Sequence, residues 1–388
     1  MPRNKILPLF ALAVLLVAGY QKSYGQSPVI NIIFTSDAHY GITRAKFRGD
    51  TAVPAFKVNA ALVSQVNTVP DLALPPDAGI NAGKKAGPVD YVIEGGDVAN
   101  RMEPPVQSAA ISWSQFENEY MHHITLVGHD GKPAKLLIVP GNHDISNSIG
   151  YARVMKPSVD PTSMVNIYNL MLKPQKPLTN ADYNYTRDKI NYSRNIKGIH
   201  FMFITLWADS AERIWMQRDL DTVAANTPVI IFTHDQPDCE AKHFTNPLPP
   251  YNMTPDNHFE NLTAEHYKEG AVAARDDGAT AVEQRGFVKF LKRHPNIKAY
   301  FHGNSNWNEF YVYHGPDNDV NLNVFRVDSP MKGKYSAKDE TVLSFQLITL
   351  DAQSQALTVR ECLWNTKPSD AAQKVVFGKS STVSLKVN

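Results

Sequence analysis

The sequence predicts an α+β fold, on two observations. Five apolar segments rich in β-branched residues each end in a polar loop, and stretches with helical spacing lie between them. Several short stretches between Trp307 and Leu363 alternate polar and apolar residues, which predicts antiparallel strands along one edge. At 388 residues, the chain is long enough for one large domain or for two.

The elements follow in chain order from the periodicity of apolar residues. Apolar strands are predicted over residues 28–34, 89–93, 134–139, 228–232 and 297–301. Helices are predicted over residues 52–66, 106–122, 164–172, 214–223 and 281–293, and a strand pair over 191–196 and 200–207. Residues 68–88 and 239–278 lack such patterns and are interpreted as surface insertions. Aromatic residues of the second insertion would either stack on a base or sugar or pack the insertion down.

The N-terminal residues 1–25 are predicted to be a secretory signal peptide. Arg3 and Lys5 precede an apolar stretch from Ile6 to Gly19, and small residues precede Gln26. This stretch is shorter than the roughly 20 residues that a membrane span needs, so a stable span is the weaker interpretation. We therefore expect a secreted or periplasmic protein with one folded domain over residues 26–365 and a polar C-terminal tail over 366–388.

The charge balance argues against a nucleic-acid partner, and the cysteine content leaves the disulfide state open. The chain has 39 Lys and Arg residues against 38 Asp and Glu residues, so no basic footprint for nucleic acid is present. The two cysteines, Cys239 and Cys362, are compatible with two thiols or with one disulfide bond.

Polar side chains that can bind metal or phosphate follow each of the five apolar strands. In strand order they are Asp37 and His39, then Asp97, then Asn142, His143 and Asp144, then His234, and last Asn304 and Asn306. One such strand end is an ordinary polar turn, but five in a row predict a shared site.

The chemistry of these residue types fits two metal ions. Asp37 and His39 stand two positions apart, so both can face one ion from an extended loop. The carboxylate of Asp97 can bridge two ions, and the second ion would take Asn142 and His234. Two cations about 3.5–4 Å apart lower the pKa of a shared water, which yields a metal-bridging hydroxide nucleophile, and they neutralise a phosphoryl group.

The motifs resemble those of the calcineurin-like metallophosphoesterase superfamily. The matching residues are Asp37-x-His39, Gly96-Asp97, Gly141-Asn142-His143-Asp144, His234 and the glycine of Gly303-Asn304-Ser305-Asn306. The resemblance implies a four-layer αββα sandwich with surface insertions and a dinuclear site at one end of the central sheets. It places Asp37, His39 and Asp97 on the first metal. It places Asp97, Asn142 and His234 on the second.

The resemblance also implies roles for residues that bind no metal. His143 would contact the phosphoryl or leaving-group oxygen, and Asp144 would orient the His143 imidazole. Arg101, four residues after Asp97, resembles an arginine that grips phosphate in some family members. The alternative for Arg101 is a surface residue that caps the next helix.

The fifth motif departs from the family, in which most members carry Gly-His-x-His. Here Asn304 would fall on the second metal and Asn306 on the first. An amide oxygen can still bind metal, but it suits harder ions better than an imidazole does, so we favour Mn²⁺, with Fe or Zn²⁺ as alternatives. Candidate replacement ligands nearby in sequence are His302, Asp235, Asp238 and Glu309.

The expected function is therefore an exported, metal-dependent phosphoesterase that acts on a small-molecule phosphomonoester or phosphodiester. The two asparagines motivate an alternative from another class, a degenerate family member that binds a ligand or partner without hydrolysing it. A protein phosphatase is disfavoured by the signal peptide.

Overall fold

The computed structural model describes residues 29–100, 107–145, 160–185, 187–238, 281–370 and 372–387. The strands in chain order are β1 (Val29–Thr35), β2 (Thr43–Phe47), β3 (Asp50–Pro54), β4 (Tyr91–Glu94), β5 (Lys135–Ile138), β6 (Tyr192–Ile196), β7 (Ile199–Phe203), β8 (Val229–Phe232), β9 (Ile297–His302), β10 (Glu309–Tyr313), β11 (Leu322–Arg326), β12 (Ser344–Asp351), β13 (Ala356–Leu363) and β14 (Val376–Ser384). The helices are α1 (Ala55–Val66), α2 (Ala109–Phe116), α3 (Asn142–Ile145), α4 (Thr162–Leu172), α5 (Ser210–Leu220) and α6 (Ala281–Arg293).

The first sheet has the strand order β14–β13–β12–β1–β4–β5. Strand β1 is parallel to β4, and β4 is parallel to β5, so the carboxyl ends of all three lie at the same edge. The other side of β1 pairs with β12 in antiparallel fashion. Because β1 is central, residues 30–35 are all buried, which explains their nearly continuous apolar sequence.

The second sheet has the strand order β10–β11–β9–β8–β7–β6. Strands β7, β8, β9 and β11 run parallel to one another, and antiparallel β6 and β10 close the two edges. The carboxyl ends of β8 and β9 therefore also meet at one edge, as in the first sheet.

Aromatic side chains join the two sheets face to face. The ring of Phe34 in β1 lies 5.5 Å from that of Phe232 in β8 and 5.6 Å from that of Phe301 in β9. Helices α5 and α6 pack on the second sheet, where Met216 and Phe290 share a core with Tyr300. Helices α1, α2 and α4 share the core of the first sheet. The result is the four-layer αββα sandwich that the resemblance implied.

Side-chain caps account for where two of the helices begin. The Asp209 side chain caps α5 by accepting hydrogen bonds from the N–H groups of Ala211 and Glu212, each at 2.9 Å. Ser108 caps α2 in the same way, by accepting from the N–H of Ile111. No helix within the described ranges has the length and apolar character required to cross a bilayer.

Two predicted segments differ from the observed structure. The helix predicted over residues 52–66 begins only at Ala55, because residues 43–54 form the hairpin β2–β3 around Arg48 and Gly49. The tail predicted over 366–388 contains β14, which pairs with β13 at the sheet edge. An edge strand exposes one face and one side, so its sequence can be polar and still pair.

Candidate metal centre

The loops after β1 and β4 continue the parallel pairing of their strands and so align the first predicted ligands. The N–H of Asp37 donates to the carbonyl of Gly96 at 2.8 Å, and the N–H of His39 donates to the carbonyl of Asp97 at 2.9 Å. Asp37, His39 and Asp97 all have positive φ angles, of 60°, 46° and 57°. Residues other than glycine rarely adopt this conformation, which costs of order 1–3 kcal/mol each and is concentrated at functional sites.

The loop after β5 reaches the same place because Gly141 has no side chain. A Cβ at Gly141 would lie 2.8 Å from Cε1 of His234 and closer still to the backbone N and Oδ1 of Asp97. At the start of α3, the N–H of His143 donates to Oδ1 of Asp97 at 2.8 Å. The loop thereby positions Asn142 and His143, both buried, beside the Asp97 carboxylate.

The second sheet supplies His234 from the end of β8. Its Nδ1 lies 2.7 Å from the carbonyl oxygen of Gly95, the first residue after β4. A carbonyl only accepts hydrogen bonds, so Nδ1 holds a proton and Nε2 faces the opposite direction. Nε2 lies 3.4 Å from Oδ2 of Asp97. A carbonyl partner of this kind fixes the ring orientation of metal-binding histidines.

The side chains form two overlapping groups, each able to hold a metal ion. One consists of His39, Asp97 and His143, and the other of Asp37, Asp97 and His234. Nε2 of His39 lies 3.4 Å from Oδ1 of Asp37 and 3.7 Å from Oδ2 of Asp97. Asp97 belongs to both groups, which is the arrangement that a bridging carboxylate requires.

Buried atoms without hydrogen bonds indicate that this cluster fits cations. Within the described ranges, Oδ1 of Asp37, Nε2 of His39 and Nε2 of His234 are buried and make no hydrogen bond. Leaving such atoms unsatisfied is costly, and a cation among them would satisfy all three. The donor set of carboxylates and imidazoles is also the one that Mn²⁺, Fe and Zn²⁺ accept.

The electrostatics of the cluster favour the metal-binding protonation states at two residues. Burial opposes ionisation of Asp97, but the neighbouring imidazoles, with His234 foremost, hold its pKa well below its usual range. Burial, reinforced by the charge of Lys332, lowers the pKa of His39. The Asp97 carboxylate interacts in turn with His234, and this outweighs burial and raises the pKa of His234. Metal ligation requires ionised carboxylates and neutral imidazoles, so a cation would displace a proton from His234.

The fifth motif lies beside the other four. Asn304 donates its backbone N–H to Oδ2 of Asp37 at 3.0 Å, and its side-chain amide donates to Oε1 of Gln236 at 3.2 Å. The Asn306 amide donates to the carbonyl of Asn304, and Oδ1 of Asn306 is buried without a hydrogen bond. Both asparagines have positive φ angles, of 58° and 64°. The motif therefore joins the site, and Asn306 offers an unsatisfied oxygen there.

The role expected of Asp144 needs correction. Its carboxylate accepts hydrogen bonds from the N–H groups of Val98, Ala99 and Gly141, at 3.2, 3.0 and 2.9 Å, and not from the His143 ring. Burial and the negative charge of Asp97 raise the pKa of Asp144 to about 7. Asp144 thus joins the loops after β4 and β5 to each other. The sequence suggested a role on the adjacent imidazole because adjacency does not reveal which way a side chain turns.

The remaining predicted residues have separate outcomes. Arg101 and Cys239 lie outside the described residues, so their roles stay predictions. Cys362 is a buried free thiol. Of the candidate replacement ligands, His302 interacts with the hydroxyl of Tyr311 and Glu309 pairs with Arg326.

The site opens into a cavity of about 710 Å³. The predicted residues His39, Asp97, Asn142, His143, Asn304 and Asn306 line it, with Asp238. Among the further lining residues that sequence reasoning missed, Gln236 and Lys332 lie closest to the predicted motifs and to His143. Gln236 follows His234 by two positions and could have been found from the motif. Lys332, whose Nζ lies 3.2 Å from Nε2 of His143, stands in a polar loop with no signal of its own.

The comparisons with known proteins agree with this architecture. A family model described as calcineurin-like phosphoesterase matches residues 30–328, which include every predicted metal ligand. No curated protein sequence matches the chain significantly.

Several solved structures resemble the chain at low sequence identity. A dimetal phosphatase from Danio rerio is 9% identical, with 90% of this chain and 99% of that chain covered and a TM-score of 0.48. A phosphopantetheinyl hydrolase from Mycobacterium tuberculosis is 12% identical, with 78% and 91% covered and a TM-score of 0.35. A calcineurin-like phosphoesterase from Bacillus subtilis is 9% identical, with 92% and 91% covered and a TM-score of 0.33. These scores are too low to support an argument about substrate or mechanism.

Proposed function

Because the chain belongs to the calcineurin-like phosphoesterase family, we propose that it is an exported, metal-dependent phosphoesterase that hydrolyses a small-molecule phosphomonoester or phosphodiester. The observation that carries the proposal is the position of Asp97, which is shared by two groups of potential metal-binding side chains at the edge of a large cavity. The features of residues 1–25 support export.

The residues of this chain would hold two divalent cations. Asp37, His39 and Asp97 would bind the first, and Asp97, Asn142 and His234 the second. The amide oxygens of Asn304 and Asn306 would complete the two sets. When bound, the cations supply an activated water as nucleophile and neutralise charge on the phosphoryl group. We favour Mn²⁺ because amide and carboxylate oxygens suit harder ions.

His143 would act on the substrate: its ring belongs to one of the two potential metal groups, but the family resemblance assigns it to the phosphoryl or leaving-group oxygen. It lines the cavity, and its backbone N–H holds the Asp97 carboxylate at 2.8 Å. Burial, together with the positive charge of Lys332 and the other histidines, outweighs Asp97 and holds the pKa of His143 well below its usual range. In the free protein its ring is therefore neutral, and Nε2 accepts a hydrogen bond from the ammonium of Lys332. Arg101 would add a phosphate contact.

The decisive experiment is hydrolysis of an aryl phosphate and an aryl phosphodiester with Mn²⁺, with Zn²⁺ and with a chelator. We expect metal-dependent turnover of at least one ester and a loss of at least about 100-fold in His143→Ala, the size typical of an acid–base or transition-state contact. Unchanged metal content in His143→Ala would separate loss of chemistry from loss of metal. No turnover of either ester by the metal-loaded wild type would favour the binding protein instead.

The asparagine pair provides a separate test of the metal preference. Restoring Asn304→His and Asn306→His together should increase Zn²⁺ affinity relative to Mn²⁺, because imidazole is the better ligand for borderline metals. The measurement is metal analysis and calorimetric titration of both proteins. Two tightly bound Zn²⁺ ions in wild-type protein purified without added metal would contradict the preference for Mn²⁺.

A further inference from the structure

Lys332 lies at the candidate centre although it belongs to none of the five strand-end motifs. Its Nζ is 3.2 Å from Nε2 of His143, and it lines the same cavity as His39 and Asp97. It also follows the last residue matched by the family model, residue 328. The match to the family model therefore does not extend to Lys332, and its role has to be argued from its own contacts.

Hydrogen bonds connect the loop that contains Lys332 to the candidate metal centre. The hydroxyl of Ser329 accepts the N–H groups of Met331 and Lys332, at 3.1 and 2.9 Å, and itself donates to the carbonyl of Asp37 at 2.9 Å. One buried serine thus connects the backbone of Lys332 to the backbone of a predicted ligand.

Two further contacts restrict this loop. The N–H of Val327 donates to the carbonyl of His302 at 3.1 Å, and the guanidinium of Arg44 donates to the carbonyl of Pro330 at 2.8 Å. A side chain at Gly333 would collide with Ser336, so the chain after Lys332 is closely packed as well. Groups held in this way by surrounding contacts are typical of residues that must meet a substrate with fixed geometry.

The cavity wall carries a second cation, Arg326. The guanidinium of Arg326 lies 3.5 Å from the centre of the Trp307 ring and forms an ion pair with Glu309. Lys332 lies at the His143 end of the cavity, where its charge also lowers the pKa of His39 and His143. Of these two cations, Lys332 is the one whose field reaches the position where a phosphoryl group would sit.

We propose that Lys332 binds a terminal oxygen of the substrate's phosphoryl group and makes the site selective for phosphomonoesters over phosphodiesters. A phosphomonoester has three terminal oxygens and carries two negative charges near neutral pH, whereas a diester has two terminal oxygens and one charge. An ammonium group at this position therefore stabilises the monoester more strongly. The inference rests on the proposed function and names the substrate class within it.

The experiment uses inorganic phosphate and dimethyl phosphate as binding probes for the Mn²⁺-loaded protein, measured by calorimetry. Lys332→Met should weaken phosphate binding about 10- to 100-fold, the range for a hydrogen bond to a charged group. Dimethyl phosphate, with one charge, should lose less than about 3-fold. Lys332→Arg retains the charge and should recover much of the phosphate affinity. Lys338→Met, at an exposed lysine of the same segment, should change neither affinity.

The kinetic counterpart is the ratio of kcat/KM for an aryl phosphate to that for an aryl phosphodiester. Lys332→Met should lower this ratio about 10-fold or more with unchanged metal content. Equal losses for both esters, or for both probes, would overturn the inference and assign Lys332 a structural role on His143. Wild-type protein that binds no phosphate when metal-loaded would also overturn it. Phosphate binding that depends on Lys332 in a protein without turnover would support the inference and refute the proposed hydrolysis.

Discussion

Gly141→Ala tests whether the geometry of the candidate centre depends on close backbone approach. Gly141 has no positive φ angle, so alanine brings no backbone strain of the left-handed kind. The added Cβ would instead meet Cε1 of His234 at 2.8 Å, with the backbone N and Oδ1 of Asp97 closer still. The added methyl group would therefore clash with two residues that we assign as metal ligands.

The size of the effect follows from these distances. Carbon atoms prefer separations of about 3.5–4.0 Å, so the His234 ring or the loop after β5 must move by roughly 1 Å. Metal–ligand distances tolerate about 0.2 Å, and a displacement of 1 Å at a catalytic site costs about 100-fold in rate. Overpacking should also destabilise the fold by about 1–3 kcal/mol. We expect loss of metal and activity in a protein that still folds.

The assay is metal content, ester hydrolysis and thermal unfolding of Gly141→Ala beside Gly131→Ala. Gly131 has a φ angle of 74° and open space around its Cα, so alanine there costs only backbone strain, about 1–2 kcal/mol. The control should lose similar stability and retain metal and activity. Wild-type metal content and turnover in Gly141→Ala would refute the packing argument.

Two further predictions concern stability. Burial raises the pKa of Asp328 to about 8, so folding takes up a proton between the unfolded pKa near 4 and pH 8, and stability falls across this window by up to about 1.4 kcal/mol per pH unit. Asp328→Asn, which cannot ionise, should therefore be increasingly more stable than wild type in chemical denaturation from pH 4 to pH 8; a constant difference would contradict this. The fully buried Arg360 pairs with Asp77 at 2.7 Å, so Asp77→Ala should cost about 3–5 kcal/mol of unfolding free energy by leaving the Arg360 charge uncompensated. Asp71→Ala, which breaks the exposed pair with Lys85, should cost less than about 1 kcal/mol, and equal losses would refute the distinction.

The sandwich and most of the candidate centre could be predicted because both follow from strand ends. Parallel strands with buried faces have continuous apolar sequences, so β1, β4, β5, β8 and β9 were visible as apolar segments. Within each sheet, the carboxyl ends of its parallel strands meet at one edge. The polar residues after them, from Asp37 to Asn306, could therefore be grouped sheet by sheet, and the family resemblance supplied the joining of the two sheets.

The remaining features depend on contacts that have no sequence period. Lys332 reaches the centre through the hydroxyl of Ser329, and Asp144 turns to backbone N–H groups and away from His143. The edge strand β14 is largely exposed, so its residues show no apolar pattern to read. In each case the determining partner is distant in sequence or is a backbone group that any residue possesses.

The central place of β1 in the first sheet has a consequence for how the protein is made. Ile33 lies between Val92, synthesised soon after it, and Leu347, synthesised near the end of translation. Until β12 emerges, one side of β1 is an unpaired edge, which is a site for aggregation or chaperone binding. A truncation before Ser344 would remove none of the residues assigned to the metals and yet leave the strand that leads to Asp37 without its neighbour. The residues assigned to the metals are therefore synthesised before the strand that pairs with β1. We expect the site to form only after the C-terminal strands have been synthesised.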